Sequence, residues 1–142
     1  MKSYSLFLGM LMAILVIAAL LLTVGVRPRA GGPQGAALYN RQTEVLVKGT
    51  VRDIQEFACP VNEGELGGHL NLQTSEGVYQ VHLLPSRVMR SQGLKFAPGE
   101  QIQVTGSKTR VMGKPSLIAR EIVRGDETFT LRDSDGHVMM MQ

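Results

Sequence analysis

The chain has 142 residues, 44% of them hydrophobic, with one cysteine, three histidines and a formal net charge of +3. That length is one domain's worth, and a single cysteine, Cys59, excludes an internal disulfide. The positive charge does not mark a nucleic-acid binder: Lys2, Arg27, Arg29 and Arg41 all precede Glu44, and from there on 11 Lys and Arg face 12 Asp and Glu, where a nucleic-acid domain carries a basic surplus.

From Ser5 to Val26 the run SLFLGMLMAILVIAALLLTVGV carries no charge. At about 1.5 Å per residue it is long enough to cross a hydrocarbon core of about 30 Å. Residues 1–26 therefore read as a transmembrane anchor. A cleaved signal, cut near Ala30 or within Gly35 to Ala37, is the alternative, but its apolar region would be shorter. With so short an N-terminal tail, the expected orientation is N-in and C-out, making a single-pass protein of the cytoplasmic membrane with its domain on the extracytoplasmic, periplasmic side. Residues 27–43 are rich in Gly, Ala and Pro, show no helical or strand period, and read as a flexible linker.

A domain over residues 44–142 follows, in which apolar residues recur mainly at every second position between Gly, Pro, Asp and Ser. VLVKGTVRDI (Val45 to Ile54) is a first strand with a central glycine. HLNLQT and VYQVHL are a second and third, joined at Ser75-Glu76-Gly77. Ser86 is placed to cap a short helix from Arg87 to Gln92, which Gly93 ends. QIQVTG and SLIAREIV are a fourth and fifth strand. In the fifth, Ile122 breaks the period set by Leu117 and Ala119, which a bulge near Arg120-Glu121 would restore. TFTLRD and HVMMM read as a last hairpin. This order is that of the OB-fold, so the expected class is mainly β, a five-stranded OB-like Greek-key barrel with one short helix and a C-terminal hairpin behind a transmembrane helix. A glycine in the first strand suits a strand that bends sharply.

The pieces GTVRDI, HLNLQT, APGEQIQVTG and PSLIAREI resemble OB-fold modules of the general nucleic-acid-binding type. LKFAPGEQIQVTGS followed by PSLIAREIVRGDETFTLRDSDG resembles a group of uncharacterised bacterial OB-like proteins that stand behind signal or anchor segments. The resemblance spans Val45 to Gly136 and implies a fold more than a ligand. Where that group has an aromatic after the final DG turn, this chain has HVMM. The layout is also similar to that of the haem chaperones of cytochrome c maturation, but their attachment motif is replaced by Val-Met-Met-Met after His137.

The second and third strands hold two of the histidines. A two-residue turn at Ser75-Glu76 sets Thr74 opposite Gly77, Leu72 opposite Tyr79, Leu70 opposite Val81 and His69 opposite His82. Leu70, Leu72, Tyr79, Val81 and Leu83 then face the core, and the histidines share the outer, solvated face with Asn71 and Gln80. Directly opposed Cβ atoms lie about 4.5–5.5 Å apart, within reach of one metal ion, yet zinc and copper want more than two ligands. His137 with Met139 and Met141 offers a second soft set in the tail. Cys59 lies in EFACPVNEGELGG, a long connection that overhangs the binding face of an OB-fold, with no basic residue near it in sequence. Lys108, Arg110 and Lys114 fall in the connection between the fourth and fifth strands, where they would border the ligand groove.

No phosphate-cradling loop, HExxH, CxxC or nucleophile triad is present, so an enzyme is not expected. The reading is an anchored extracytoplasmic binding or accessory module, docking a protein partner in an envelope complex through a groove framed by the Cys59 connection, His69, Asn71, Gln80, His82 and the Lys108 to Lys114 turn. Its first rival is a copper, zinc or haem carrier using His69, His82, His137, Met139 and Met141, and its second a nucleic-acid-binding OB domain, which lacks the exposed aromatics for base stacking. No resident cofactor is expected on the first reading.

Overall fold

The computed structural model describes residues 38–140, so the anchor, most of the linker and Met141 lie outside the described residues. Among the described residues no helix is long and apolar enough to cross a membrane. The architecture is mainly β. Strands β1 (Glu44–Ala58), β2 (Leu66–Thr74) and β3 (Gly77–Pro85) precede the short helix α1 (Ser86–Ser91), and β4 (Gln101–Val111), β5 (Lys114–Arg124) and β6 (Glu127–Thr130) follow it.

The six strands form one sheet in the order β3-β2-β1-β4-β5-β6. Neighbours are antiparallel, but β3 also pairs with β5 in parallel, through Gln80 with Ser116, Val81 with Leu117 and His82 with Ile118. The pairings of the first five strands thus form a closed circuit, leaving β6 on its flank. One strand makes this circuit possible. β1 pairs with β4 from Glu44 to Thr50 and with β2 from Thr50 to Ala58, changing partner beside Gly49. A Cβ at Gly49 would collide with the Gln73 carbonyl oxygen and lie 2.7 Å from Leu72 Cγ, so the bend needs a residue without a side chain.

The β2–β3 register is the expected one: Thr74 faces Gly77, Leu72 faces Tyr79, Leu70 faces Val81 and His69 faces His82. Leu70, Leu72, Tyr79, Val81 and Leu83 join the main core with Val104, Leu117 and Ile122 from β4 and β5. Each such side chain contributes about 1.5–3 kcal/mol on burial. The break in the β5 period is a bulge. Thr105 pairs with Glu121 and Gly106 with Ala119, leaving Arg120 as the extra residue. The bulge aims the Arg120 carbonyl at the chain after β6, where it accepts from the N–H groups of Leu131 at 2.7 Å and Arg132 at 3.2 Å.

Several local expectations are corrected. The connection between β4 and β5 is not a loop from Gly106 to Lys114: both strands run on to a two-residue turn at Met112-Gly113, with φ of 48° and 79°, the positive pair that a tight hairpin requires. Ser86 is the first residue of α1 rather than its cap, a position that Pro85 holds without a side-chain bond. The final hairpin shrinks to one bridge, Arg132 with Val138, because Asp133 Oδ1 gathers the N–H groups of Asp135 and His137 into a turn. Tyr39 and Asn40, placed in the linker by composition, belong to the packed domain. Tyr39 is buried and its hydroxyl donates to Glu44, while the Asn40 N–H donates to Ser107 Oγ at 3.1 Å.

Candidate metal centre

The main correction concerns the face that carries His69 and His82. It is dry. β1 runs four residues past Ile54, and the chain then turns at Pro60–Asn62, laying Phe57, Cys59 and Val61 into a second apolar cluster with Tyr39, Val111 and Ile118. Period-two patterning assigns one face of a strand to solvent and cannot see a cover supplied from elsewhere. His69 is 1% exposed, His82 0% and Cys59 2%, which rules out two solvated imidazoles on a wet surface.

Under that cover the three side chains converge. His69 Nε2 lies 3.2 Å from Cys59 Sγ, and His82 Nδ1 lies 3.5 Å from the same sulfur. The three ligand atoms are all within 4.8 Å of one another. Both imidazoles are held from outside. Phe57 stacks on the His69 ring at 3.6 Å and 8°, and the two imidazoles meet edge to face at 4.7 Å. Ser116 Oγ sits 3.4 Å from His82 Nε2, and its hydroxyl donates to the Lys114 carbonyl at 3.0 Å.

Those bonds set the protons. The Ser116 proton is engaged on Lys114, so Ser116 accepts from His82, which is therefore protonated on Nε2 and turns the Nδ1 lone pair to the sulfur. Burial pushes His69 down to about 4, opposed only by the backbone of Gly67. Burial first, then His69 and Arg132, push His82 down to about 3. Both rings are neutral at neutral pH. If His69 carries its proton on Nε2, its buried Nδ1 is left without a partner. If it carries the proton on Nδ1, two nitrogen lone pairs face one thiol with a single proton to give. Either way one buried nitrogen lone pair is left without a donor, which is costly in a dry site.

A metal ion held by the sulfur and both imidazoles would give the unpaired nitrogen a partner. Bonds of about 2.3 Å to sulfur and about 2.0–2.1 Å to nitrogen set S···N separations of roughly 3.5–3.8 Å. The Cys59–His82 distance already matches, and His69 has to retreat by a few tenths of an ångström. His82 also has the second partner expected of a ligating imidazole, its other nitrogen held by Ser116.

The remaining sequence candidates lie apart from this cluster. Asn71 and Gln80 form the next pair along the hairpin; Asn71 donates to Asp53 at 2.8 Å, and Gln80 is buried with Oε1 unpartnered. Lys108 is on β4, paired with Glu76 at 3.1 Å and lying over the Tyr79 ring. Arg110 donates to the Gly113 carbonyl at 2.6 Å, and Lys114 opens β5 on the surface. His137 is exposed on Asp133, 3.1 Å away, and Met139 is exposed. His137, Val138 and Met140 instead rim a cleft of about 260 Å³ whose wall includes Asn62 and Arg132. Sequence reasoning missed Arg132, which is buried with its guanidinium on the Ala119 and Leu83 carbonyls.

Fold and site together define a small, mainly β module with a buried cysteine–histidine pocket. The model of the MamS/MamX magnetosome protein family matches residues 43–129, a span that contains Cys59, His69 and His82, and the chain belongs to that family. No match was found among curated proteins.

Proposed function

We propose that this chain is a membrane-anchored, OB-like binding module that holds one soft metal ion on Cys59 Sγ, His69 Nε2 and His82 Nδ1. The observation that carries the reading is the convergence of two neutral imidazoles on one buried sulfur, 3.2 and 3.5 Å away, with one nitrogen lone pair left without a donor. Thiolate and imidazole suit copper and zinc. The closed circuit of five strands, with the bend at Gly49 and α1 between β3 and β4, supports the OB-like assignment. The uncharged run from Ser5 to Val26 supports an anchor with the domain on the extracytoplasmic side, and the family name supports a place in a magnetosome complex. The role is that of a carrier or accessory subunit that exchanges its ion with a protein partner, rather than of an enzyme. Docking through a basic turn has weaker support, since Lys108 and Arg110 are engaged locally.

The test is a titration of the full-length chain in detergent with copper(I) and zinc(II), beside Cys59→Ser, His69→Ala and His82→Ala. One ion per chain, lost or weakened at least about 100-fold in each variant, is the expected result. Stoichiometric binding that survives all three substitutions would overturn the proposal.

A further inference from the structure

Resting on the metal centre proposed above, we infer that the site is built for a monovalent soft ion, copper(I), and discriminates against zinc(II) through the buried guanidinium of Arg132. The ligand set supplies at most one negative charge, the Cys59 thiolate, because an imidazole binds a metal in its neutral form. Arg132 is 1% exposed and donates to two carbonyls, Ala119 at 2.7 Å and Leu83 at 2.5 Å. Among the described residues no carboxylate pairs with it. A buried charge needs a counter-charge or it is expensive to keep.

Arg132 is tied to the backbone beside the cluster: the Leu83 carbonyl follows His82 in the chain, and the Ala119 carbonyl follows Ile118, which pairs with His82. The Arg132 charge adds to the forces that keep His82 neutral, and Cys59 in turn pulls the guanidinium up against the lowering effect of burial. An arginine keeps its proton in a protein, so Arg132 is cationic at neutral pH. A thiolate at Cys59 therefore cancels Arg132, and the charge of the incoming ion stands uncompensated in a dry site: one unit for copper(I), two for zinc(II).

Coordination number points the same way. Zinc takes four ligands, a water completing the set where the protein supplies three, and the three ligating side chains of this group are at most 2% exposed to solvent. A three-coordinate sulfur–nitrogen set suits copper(I). Charge and number thus both penalise zinc(II) more than copper(I).

The test is a competition on the full-length chain in detergent under anaerobic conditions, with copper(I) and zinc(II) each supplied from a buffer of known free concentration. The wild type should take up one copper(I) in the presence of about a hundred-fold excess of free zinc(II). In Arg132→Gln, checked for fold by circular dichroism, the loss of a positive charge acts on zinc(II) with twice the leverage it has on copper(I). If copper(I) affinity rises by some factor, zinc(II) affinity should rise by about its square, and selectivity should move toward zinc. Arg132→Lys, which keeps the charge, should keep the wild-type preference.

An unchanged copper-to-zinc ratio in a folded Arg132→Gln variant overturns the role of Arg132. Zinc(II) binding as tight as copper(I) in the wild type overturns the inference while leaving the metal centre standing, and this arm decides the matter if Arg132→Gln does not fold. Binding of neither ion overturns the metal centre itself.

Discussion

Ser116 decides which nitrogen of His82 carries the proton. Its hydroxyl is committed to the Lys114 carbonyl, so it can only accept from His82 Nε2, and Nδ1 is left as a lone pair directed at Cys59. Replacing Ser116 with Ala frees the ring to change tautomer or rotate. The expected result is a metal affinity lowered by about 10- to 100-fold with one ion still bound per chain, measured by competition with a chromophoric chelator. An affinity equal to the wild type's would show that the tautomer is set elsewhere.

The same imidazoles make the metal-free protein acid-sensitive. Their ordinary value is 6.5, lowered in the fold to about 4 for His69 and about 3 for His82. Between those values and 6.5 the unfolded chain binds more protons than the folded one, so stability falls as pH drops through about 6.5 and continues to fall toward the folded values. The metal-free Tm should fall by on the order of 5 °C or more between pH 7 and pH 5. His82→Gln should flatten this slope. A Tm independent of pH over that window would mean that the rings are not held neutral by the fold.

At the other end of the bulge, Arg120 clasps Glu44 with two bonds, Nε to Oε2 at 2.9 Å and Nη2 to Oε1 at 3.0 Å, while Tyr39 donates to the same carboxylate. The Arg120 hydrogen bond holds Glu44 below its ordinary 4.5, so this contribution is full above that value and is lost as pH falls through the lower folded one. The hydroxyl of Tyr39, buried and facing a carboxylate, is pushed up to about 12. Tyr39→Ala should cost roughly 3 kcal/mol in denaturant unfolding, because it removes a buried ring as well as the bond. A loss under about 0.5 kcal/mol, the surface norm, would place Tyr39 outside the domain.

Gly49 should tolerate no side chain. Gly49→Ala drives a methyl group into the Gln73 backbone and against Leu72, and the backbone has little room to yield where β1 changes partner. A loss of about 1–3 kcal/mol is expected by urea unfolding. The same change at Gly106, whose Cβ would meet the Ile118 carbonyl beside the bulge, should act similarly. Neutral outcomes at both would mean that neither the bend nor the bulge constrains the sheet.

How far the sequence carries can be seen in the β2–β3 hairpin. Alternation of Leu70, Leu72, Tyr79 and Val81 with polar residues, plus the turn at Ser75-Glu76, is enough for the register and for the pairing of His69 with His82. The bulge at Arg120 was legible for the same reason: a broken period in an otherwise regular strand has few remedies. The environment of the histidines was not legible. Whether an outer face is wet depends on how far β1 runs and where Cys59 folds back, and these are tertiary facts. The cue was present nonetheless, in a cysteine on a connection expected to overhang that face. Arg132 gave no such signal, because nothing local distinguishes a buried arginine from an exposed one after a short strand.

X-ray absorption spectroscopy of the copper(I)-loaded full-length chain tests the central claim most directly. The expected spectrum shows one sulfur and two imidazole nitrogens around copper, with the sulfur shell absent in Cys59→Ser. A wild-type first shell without sulfur, or one unchanged by Cys59→Ser, would contradict a centre built on Cys59, His69 and His82.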